Sequence, residues 1–359
     1  NVDHGALVSV KSPADHARLI GSVREASSSD SDRALEEACR AQQAWCAKGV
    51  EFRAACLDRI ADELEAAMPE WVGLISVEAG RTLADGISEV REAIDFCRYY
   101  AQQARHTMTV PLTLPGPTGE SNTLSWHGRG VWVCISPWNF PLAIFVGQIV
   151  AALVTGNSVI AKPAEQTPLV ALKAVQLMHR CGVPESVLHC LLGAGADVGA
   201  KLVADPRISG VVFTGGTDTA QTINRSLATR PGPITPLIAE TGGLNVMLVD
   251  ATALPEQVVD DVIMSAFHSA GQRCSALRVL YLQQDSADHV LAMLAGAMSE
   301  LVVGLPWESR TDVGPLIDAS AQQKVLEHIQ AMHRDARLIA ATPLPEGLER
   351  GHFVAPHAF

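Results

Sequence analysis

The sequence predicts an α/β protein built on a parallel sheet with helices on both faces. Three observations carry this expectation. Over residues 129–239, short apolar runs alternate with helical stretches. A second strand–helix–strand segment begins near Leu244. Before both, residues 30–107 repeat apolar side chains at helical spacing.

In the N-terminal part, Leu35, Ala38, Cys39, Trp45 and Cys46 fall at i, i+3, i+4, i+10 and i+11, a stripe interrupted by Gln42. The serine-rich cluster at 27–31 supplies N-caps. Phe52, Ala55, Cys56, Ile60, Leu64 and Ala67 share one face of a second helix. Residues 108–128 turn rich in Thr, Pro and Gly around Pro115-Gly116-Pro117, which predicts a hairpin-like excursion. Strands are then expected at 131–135, 158–161, 187–192, 210–213 and 236–239, with helices at 142–153, 169–180 and 197–204. The second segment reads as a strand at 245–250, a helix at 255–269 and a strand at 278–283. Residues 351–359 read as the opening of another strand. We divide the chain into 1–107, 108–128, 129–243 and 244–359, with no internal repeat.

A chain of 359 residues with 48% hydrophobic content can bury a large core. The net charge of −12 argues against general nucleic-acid binding, which needs clustered cations. The most apolar stretch, 141–160, is broken by Gly147, Gln148 and Thr155 to Ser158, so it reads as a buried helix and strand rather than a membrane span. Eight scattered cysteines form no CxxC pair, which argues against a metal site and fits a reducing cytoplasm. There is no signal peptide, and no initiator Met, which fits a segment of something longer.

Six places could carry chemistry. Cys274 lies in Gly271-Gln272-Arg273-Cys274-Ser275, where Gly271 ends a helical pattern. A thiol attacks as thiolate, so the neighbouring Arg273 cation matters. Taken alone, a cysteine is more often a buried structural residue. Glu240 ends an apolar strand before Gly242 and Gly243, where α/β sites form, and partial burial would suit it as a general base. Asn139, between Pro137 and Pro141, could donate to an oxyanion, or simply shape a turn. Lys162 and Glu165 at a strand end could hold ribose hydroxyls, or form a surface ion pair. Gly193 to Gly199 and Phe213 to Thr217 are glycine-rich turns after strands. The first only approximates the dinucleotide fingerprint, and the second could offer backbone N–H groups to a phosphate. His268 and His127 read as packed or solvated histidines.

In this order the segments resemble the aldehyde dehydrogenase superfamily: Pro-Trp-Asn-Phe-Pro at 137–141, Lys-Pro-Ala-Glu at 162–165, Phe-Thr-Gly at 213–215, Glu-x-Gly-Gly at 240–243 and Gly-Gln-x-Cys at 271–274. The wording is most similar to the L-glutamate γ-semialdehyde dehydrogenase half of bifunctional proline utilization A enzymes. That resemblance implies the aldehyde dehydrogenase fold: a Rossmann-like NAD-binding domain, an α/β catalytic domain and a β-hairpin arm for homo-oligomerisation. It implies Cys274 as nucleophile, Glu240 as general base, and Asn139 with the Cys274 backbone N–H as oxyanion hole. For NAD it implies Ile135, Ser136, Pro137 and Trp138 on one loop, and Lys162, Ala164 and Glu165 on the next. Gly195, Gly199, Phe213, Thr214, Gly215, Gly216, Thr219, Thr241 and Gly242 complete that set. Ser275 and Arg273 are the implied substrate contacts, and no metal is implied.

Two positions depart from the superfamily pattern: Gly216 stands where Ser is usual, and Thr241 where Leu is usual. The family's later Glu-x-Phe-Gly-Pro motif does not occur before Phe359. The expected reaction is oxidation of glutamate semialdehyde to glutamate, with fusion to a preceding proline dehydrogenase domain. Succinate semialdehyde is the alternative substrate. A cysteine hydrolase pairing Cys274 with His268, or a silent scaffold, are the competing classes.

Overall fold

The computed structural model describes residues 5–359. The described residues divide into two compact units: 5–8, 22–71 and 88–240 form the first, and 9–21, 72–87 and 241–359 the second. This differs from a contiguous division, because the second unit also takes two short segments from the N-terminal third.

The described chain opens with paired strands β1 (Leu7–Ser12) and β2 (Asp15–Arg24), turning at Pro13-Ala14. The sequence predicts a helical N-terminal part; these strands are largely exposed and carry no apolar alternation that would reveal them. Four helices follow: α1 (Ser28–Ala47), α2 (Val50–Ala66), α3 (Met68–Ala79) and α4 (Leu83–Met108). Ser27 caps α1 in a full capping box, its side chain accepting from the Asp30 N–H while Asp30 accepts from the Ser27 N–H. The expected excursion is a hairpin of β3 (Leu112–Leu114) and β4 (Asn122–Leu124), with Leu112 opposite Leu124.

The alternation then runs β5 (Val131–Ile135), α5 (Ala143–Val154), β6 (Ser158–Lys162), α6 (Pro168–Arg180) and β7 (Leu188–Cys190). A π-helical turn (Gly195–Gly199) leads into α7 (Ala200–Ala204), where the sequence suggested one plain helix. β8 (Ile208–Gly215), α8 (Thr217–Thr229) and β9 (Leu237–Thr241) complete the run. The strand order is β7-β6-β5-β8-β9, with β5 parallel to β6 and β8, and β6 parallel to β7. The register aligns Ile135 with Lys162 on one side and Phe213 on the other, so three site segments leave the sheet side by side.

Helix α5 is buried along almost its whole length, so its backbone ends need protein partners. At its C-terminus the Trp45 indole donates to the Leu153 carbonyl (2.9 Å) and buried Arg53 to Val154 (2.8 Å). At its N-terminus the buried Glu89 carboxylate accepts the Leu142 N–H (2.8 Å) and the Ala143 N–H (3.3 Å).

In the second unit β10 (Asn245–Val249) connects through α9 (Pro255–Phe267) and a 3₁₀ turn (His268–Gly271) to a parallel partner, β11 (Leu277–Leu282). Helices α10 (Gln284–Glu300) and α11 (Ala319–Asp335) follow, then a two-residue pair, β12 (Ala340–Ala341) with β13 (His357–Ala358). Val249, Val258, Val262, Val290, Leu294 and Met298 form the core beneath β10 and β11.

Candidate active site

The first unit gathers most of the implied cofactor residues at the carboxyl ends of β5, β6 and β8. The Ser136 N–H donates to the Lys162 carbonyl (3.2 Å), tying one strand end to the next. Gln148 of α5 donates to both the Ile135 carbonyl (3.3 Å) and the Thr214 hydroxyl (3.0 Å), bridging the ends of β5 and β8. Sequence reasoning passed over Gln148, because a lone polar residue in an apolar helix looks like a mere interruption. Asn139 is half-buried in the loop between β5 and α5, and Glu89 fixes where that loop enters the helix.

Lys162 is no surface cation. Its side chain is 4% exposed, and its ammonium lies 3.5 Å from Glu165 and donates to the Pro163 carbonyl (3.0 Å). Burial pulls its pKa below the usual lysine value, against the opposing pull of Glu165. The Glu165 carboxylate accepts the Gly195 N–H, so the first glycine turn is held to the β6 end. A Cβ at Gly195 would approach only that carboxylate, and one at Gly216 would meet nothing within 4 Å. Gly216 is the N-cap of α8 and makes no side-chain cap, which leaves the first-turn N–H groups available to an anion. A buried cation with a carboxylate, an open glycine turn and an uncapped 13-residue helix fit a dinucleotide.

Phe213 stands beside Ile135 in the sheet register. Its side chain is buried in the apolar core with Val211, Ala220 and Ile223, and Gly215 sits over its ring. Its side chain shapes the turn from beneath. Ala164 and Gly199 are buried, Trp138 and Thr214 half-buried, and Thr219 exposed. Glu240, the penultimate residue of β9, is exposed, so the partial burial expected of it is not met within this chain.

In the second unit Cys274 is exposed on the turn between the 3₁₀ turn and β11. The preceding backbone is unusual. Ser269 (φ 57°) and Ala270 (φ 54°) lie in the left-handed region, followed by Gly271 (φ 67°). Such residues cost about 1–2 kcal/mol each and persist only where the surroundings hold them. Asp85 accepts the Ser269 N–H (3.1 Å) and the Arg273 guanidinium (2.7 Å). Arg278 donates to the Gly271 carbonyl (2.6 Å). Gln272 donates to Ser269 and Pro315 carbonyls and accepts the Ile317 N–H (3.0 Å). Asn245 donates to the carbonyls of Cys274 (2.7 Å) and Ala276 (2.9 Å). The thiol thus sits on a clamped turn.

Arg273, expected as a substrate contact, is engaged within this turn. Its guanidinium donates to Asp85 and to the Ser269 hydroxyl (3.0 Å). Ser275 is exposed beside Cys274. Thr241 is the last residue of β9, and the chain passes there into the second unit, which also holds Gly242. Among the described residues no hydrogen bond joins His268 to Cys274, and His127 pairs with Ser125 beyond β4 (3.0 Å).

The aldehyde dehydrogenase family model matches residues 2–359. The bifunctional protein PutA of Klebsiella aerogenes is 49% identical over 342 residues, covering 94% of this chain and 25% of that protein. A 1-pyrroline-5-carboxylate dehydrogenase of Anoxybacillus flavithermus is 36% identical over 356 residues, 98% of this chain and 68% of that protein. The crystal structure of PnpE in complex with nicotinamide adenine dinucleotide has a TM-score of 0.93 and 29% identity, covering 98% of this chain and 72% of its own. The chain therefore spans about a quarter of the first curated relatives it matches.

Proposed function

The chain belongs to the aldehyde dehydrogenase family, and from that membership we propose that it catalyses NAD-dependent oxidation of L-glutamate γ-semialdehyde to L-glutamate. The observation that carries the substrate is 36% identity, across nearly the whole chain, to proteins named 1-pyrroline-5-carboxylate dehydrogenase. In this reading the chain works in proline breakdown, in the cytoplasm, fused to a proline dehydrogenase domain as in the bifunctional relatives.

The Cys274 thiolate attacks the aldehyde carbon, forming a C–S bond and a tetrahedral thiohemiacetal. The Asn139 amide and the Cys274 backbone N–H stabilise its O⁻. Bound NAD⁺ supplies a hydride acceptor, leaving a thioester on Cys274. Glu240 takes a proton from water, whose oxygen attacks the thioester carbon, releasing glutamate and the thiolate. Overall, aldehyde, NAD⁺ and water give carboxylate, NADH and two protons. Lys162 and Glu165 would hold the adenosine ribose, and the α8 N-terminus would take the pyrophosphate through backbone N–H groups, since Gly216 has no hydroxyl to offer. Glu165 near the ribose disfavours a 2′-phosphate, which favours NAD over NADP. Ser275 contacts the substrate, and the β3–β4 hairpin is an arm for self-association.

The test uses the full-length polypeptide that carries these residues. Glutamate semialdehyde should give NADH absorbance with a higher kcat/KM than succinate semialdehyde, and Cys274→Ala should abolish it. Near-normal turnover in Cys274→Ala contradicts the mechanism, and a preference for succinate semialdehyde contradicts the substrate.

A further inference from the structure

We propose that Asp85 is a positioning residue for the nucleophile: its buried carboxylate holds the left-handed turn at Ser269 and Ala270 and so sets how the Cys274 thiol is presented. This rests on the reading of Cys274 as nucleophile and adds to it a residue that no motif indicates.

Asp85 is 5% exposed and sits in the first turn of α4. Its own N–H donates to the Thr82 hydroxyl (3.2 Å), which caps that helix and fixes the backbone from which the carboxylate projects. One oxygen accepts the Ser269 N–H and the other accepts Arg273. Arg273 returns to the Ser269 hydroxyl, so the carboxylate bridges the two ends of the segment 269–273 and closes it into a ring. Within that ring lie Ala270 and Gly271, both at positive φ. Gly271 adopts this region freely, and the space supports it, since a Cβ there would come within 2.9 Å of the Ala266 carbonyl. Ser269 and Ala270 have no such freedom. Gln272 and Arg278 grip carbonyl oxygens of the turn, whereas Asp85 grips the backbone N–H of Ser269, one of the two strained residues. Released from Asp85, Ser269 and Ala270 are expected to relax toward φ < 0 and turn the chain leading into Cys274.

A purely structural Asp85 would do no more than neutralise the buried Arg81 guanidinium, 3.9 Å away. The two roles part on rescue. In the full-length enzyme, Asp85→Ala should lower kcat by about 100-fold, the scale of a roughly 1 Å misplacement of a reacting group, while the Kd for NAD changes by less than about threefold. Ala270→Gly, which removes the strain, should recover at least about tenfold of kcat in the Asp85→Ala background, and act more weakly in the native one. Ala270→Val leaves Asp85, Arg81 and Arg273 in place but resists positive φ, so it should reproduce the kcat loss even where Asp85→Ala folds poorly. The proposal is overturned where Ala270→Val keeps kcat within about threefold of native, or where Ala270→Gly restores nothing. A native enzyme that forms no NADH overturns the functional reading and this proposal together, whereas native activity with indifferent variants overturns this proposal alone.

Discussion

Lys162 shows how a residue's surroundings change what its type suggests. A lysine and a glutamate three positions apart usually make a solvated pair of little energetic consequence. Here the ammonium is buried at a sheet end, and its pKa is pulled down by that burial. Below that lowered pKa the folded state holds a desolvated charge at a cost. As pH rises from there toward the ordinary lysine value, the folded state carries fewer protons than the unfolded one, so stability from this residue increases. Lys162→Met should therefore leave the melting temperature of the cofactor-free protein unchanged or higher, while calorimetry shows NAD binding weakened at least about tenfold. A lower melting temperature with unchanged NAD affinity contradicts this assignment. At the same scale, Cys274, Asn139 and Glu240 are proposed from local motifs that mark them in the sequence. Asp85 was not, because its partner Arg273 lies 188 positions away and no spacing rule links them.

At the scale of elements, α5 depends on side chains from other helices. Its start was legible as the end of a proline-bounded loop, and its burial as a mostly apolar run interrupted at Gly147 and Gln148. Its capping was not legible, because Glu89, Trp45 and Arg53 lie 53, 108 and 101 positions from the groups they satisfy. Glu89→Ala leaves two buried N–H groups without their carboxylate. It should destabilise the protein by about 1–3 kcal/mol in urea titration; a loss below about 0.5 kcal/mol would mean that water replaces the cap. The strand–helix alternation of 129–204 was readable, since buried parallel strands appear as short apolar runs, whereas α8 was not among the helices expected. The β1–β2 pair was not, because its strands are largely exposed and lack the apolar alternation that marks a half-buried strand.

At the scale of the molecule, one surface bears on assembly. The β3–β4 hairpin exposes Val110, Leu112, Leu114, Leu124 and Trp126, more apolar surface than a solvated hairpin ordinarily shows. Leu112→Asp with Leu124→Asp should convert a self-associated full-length enzyme to a smaller species in sedimentation velocity, and an unchanged species would remove the arm from assembly. No described helix is long and apolar enough to cross a membrane. The division at Glu240 and Thr241 separates the strand-end carboxylate from the cysteine turn in the chain's two units. Sequence order could not reveal that the second unit also draws on 9–21 and 72–87, because such returns leave no local signature.

The central claim is that Cys274 carries the acyl group and Glu240 activates the water that removes it. Mass mapping of the full-length Glu240→Gln enzyme, quenched soon after mixing with NAD⁺ and glutamate semialdehyde, tests this directly. The expected result is a glutamyl thioester on the peptide bearing Cys274, formed with a burst of NADH. NADH formation with that peptide unmodified, or with the acyl group on another residue, would contradict the account.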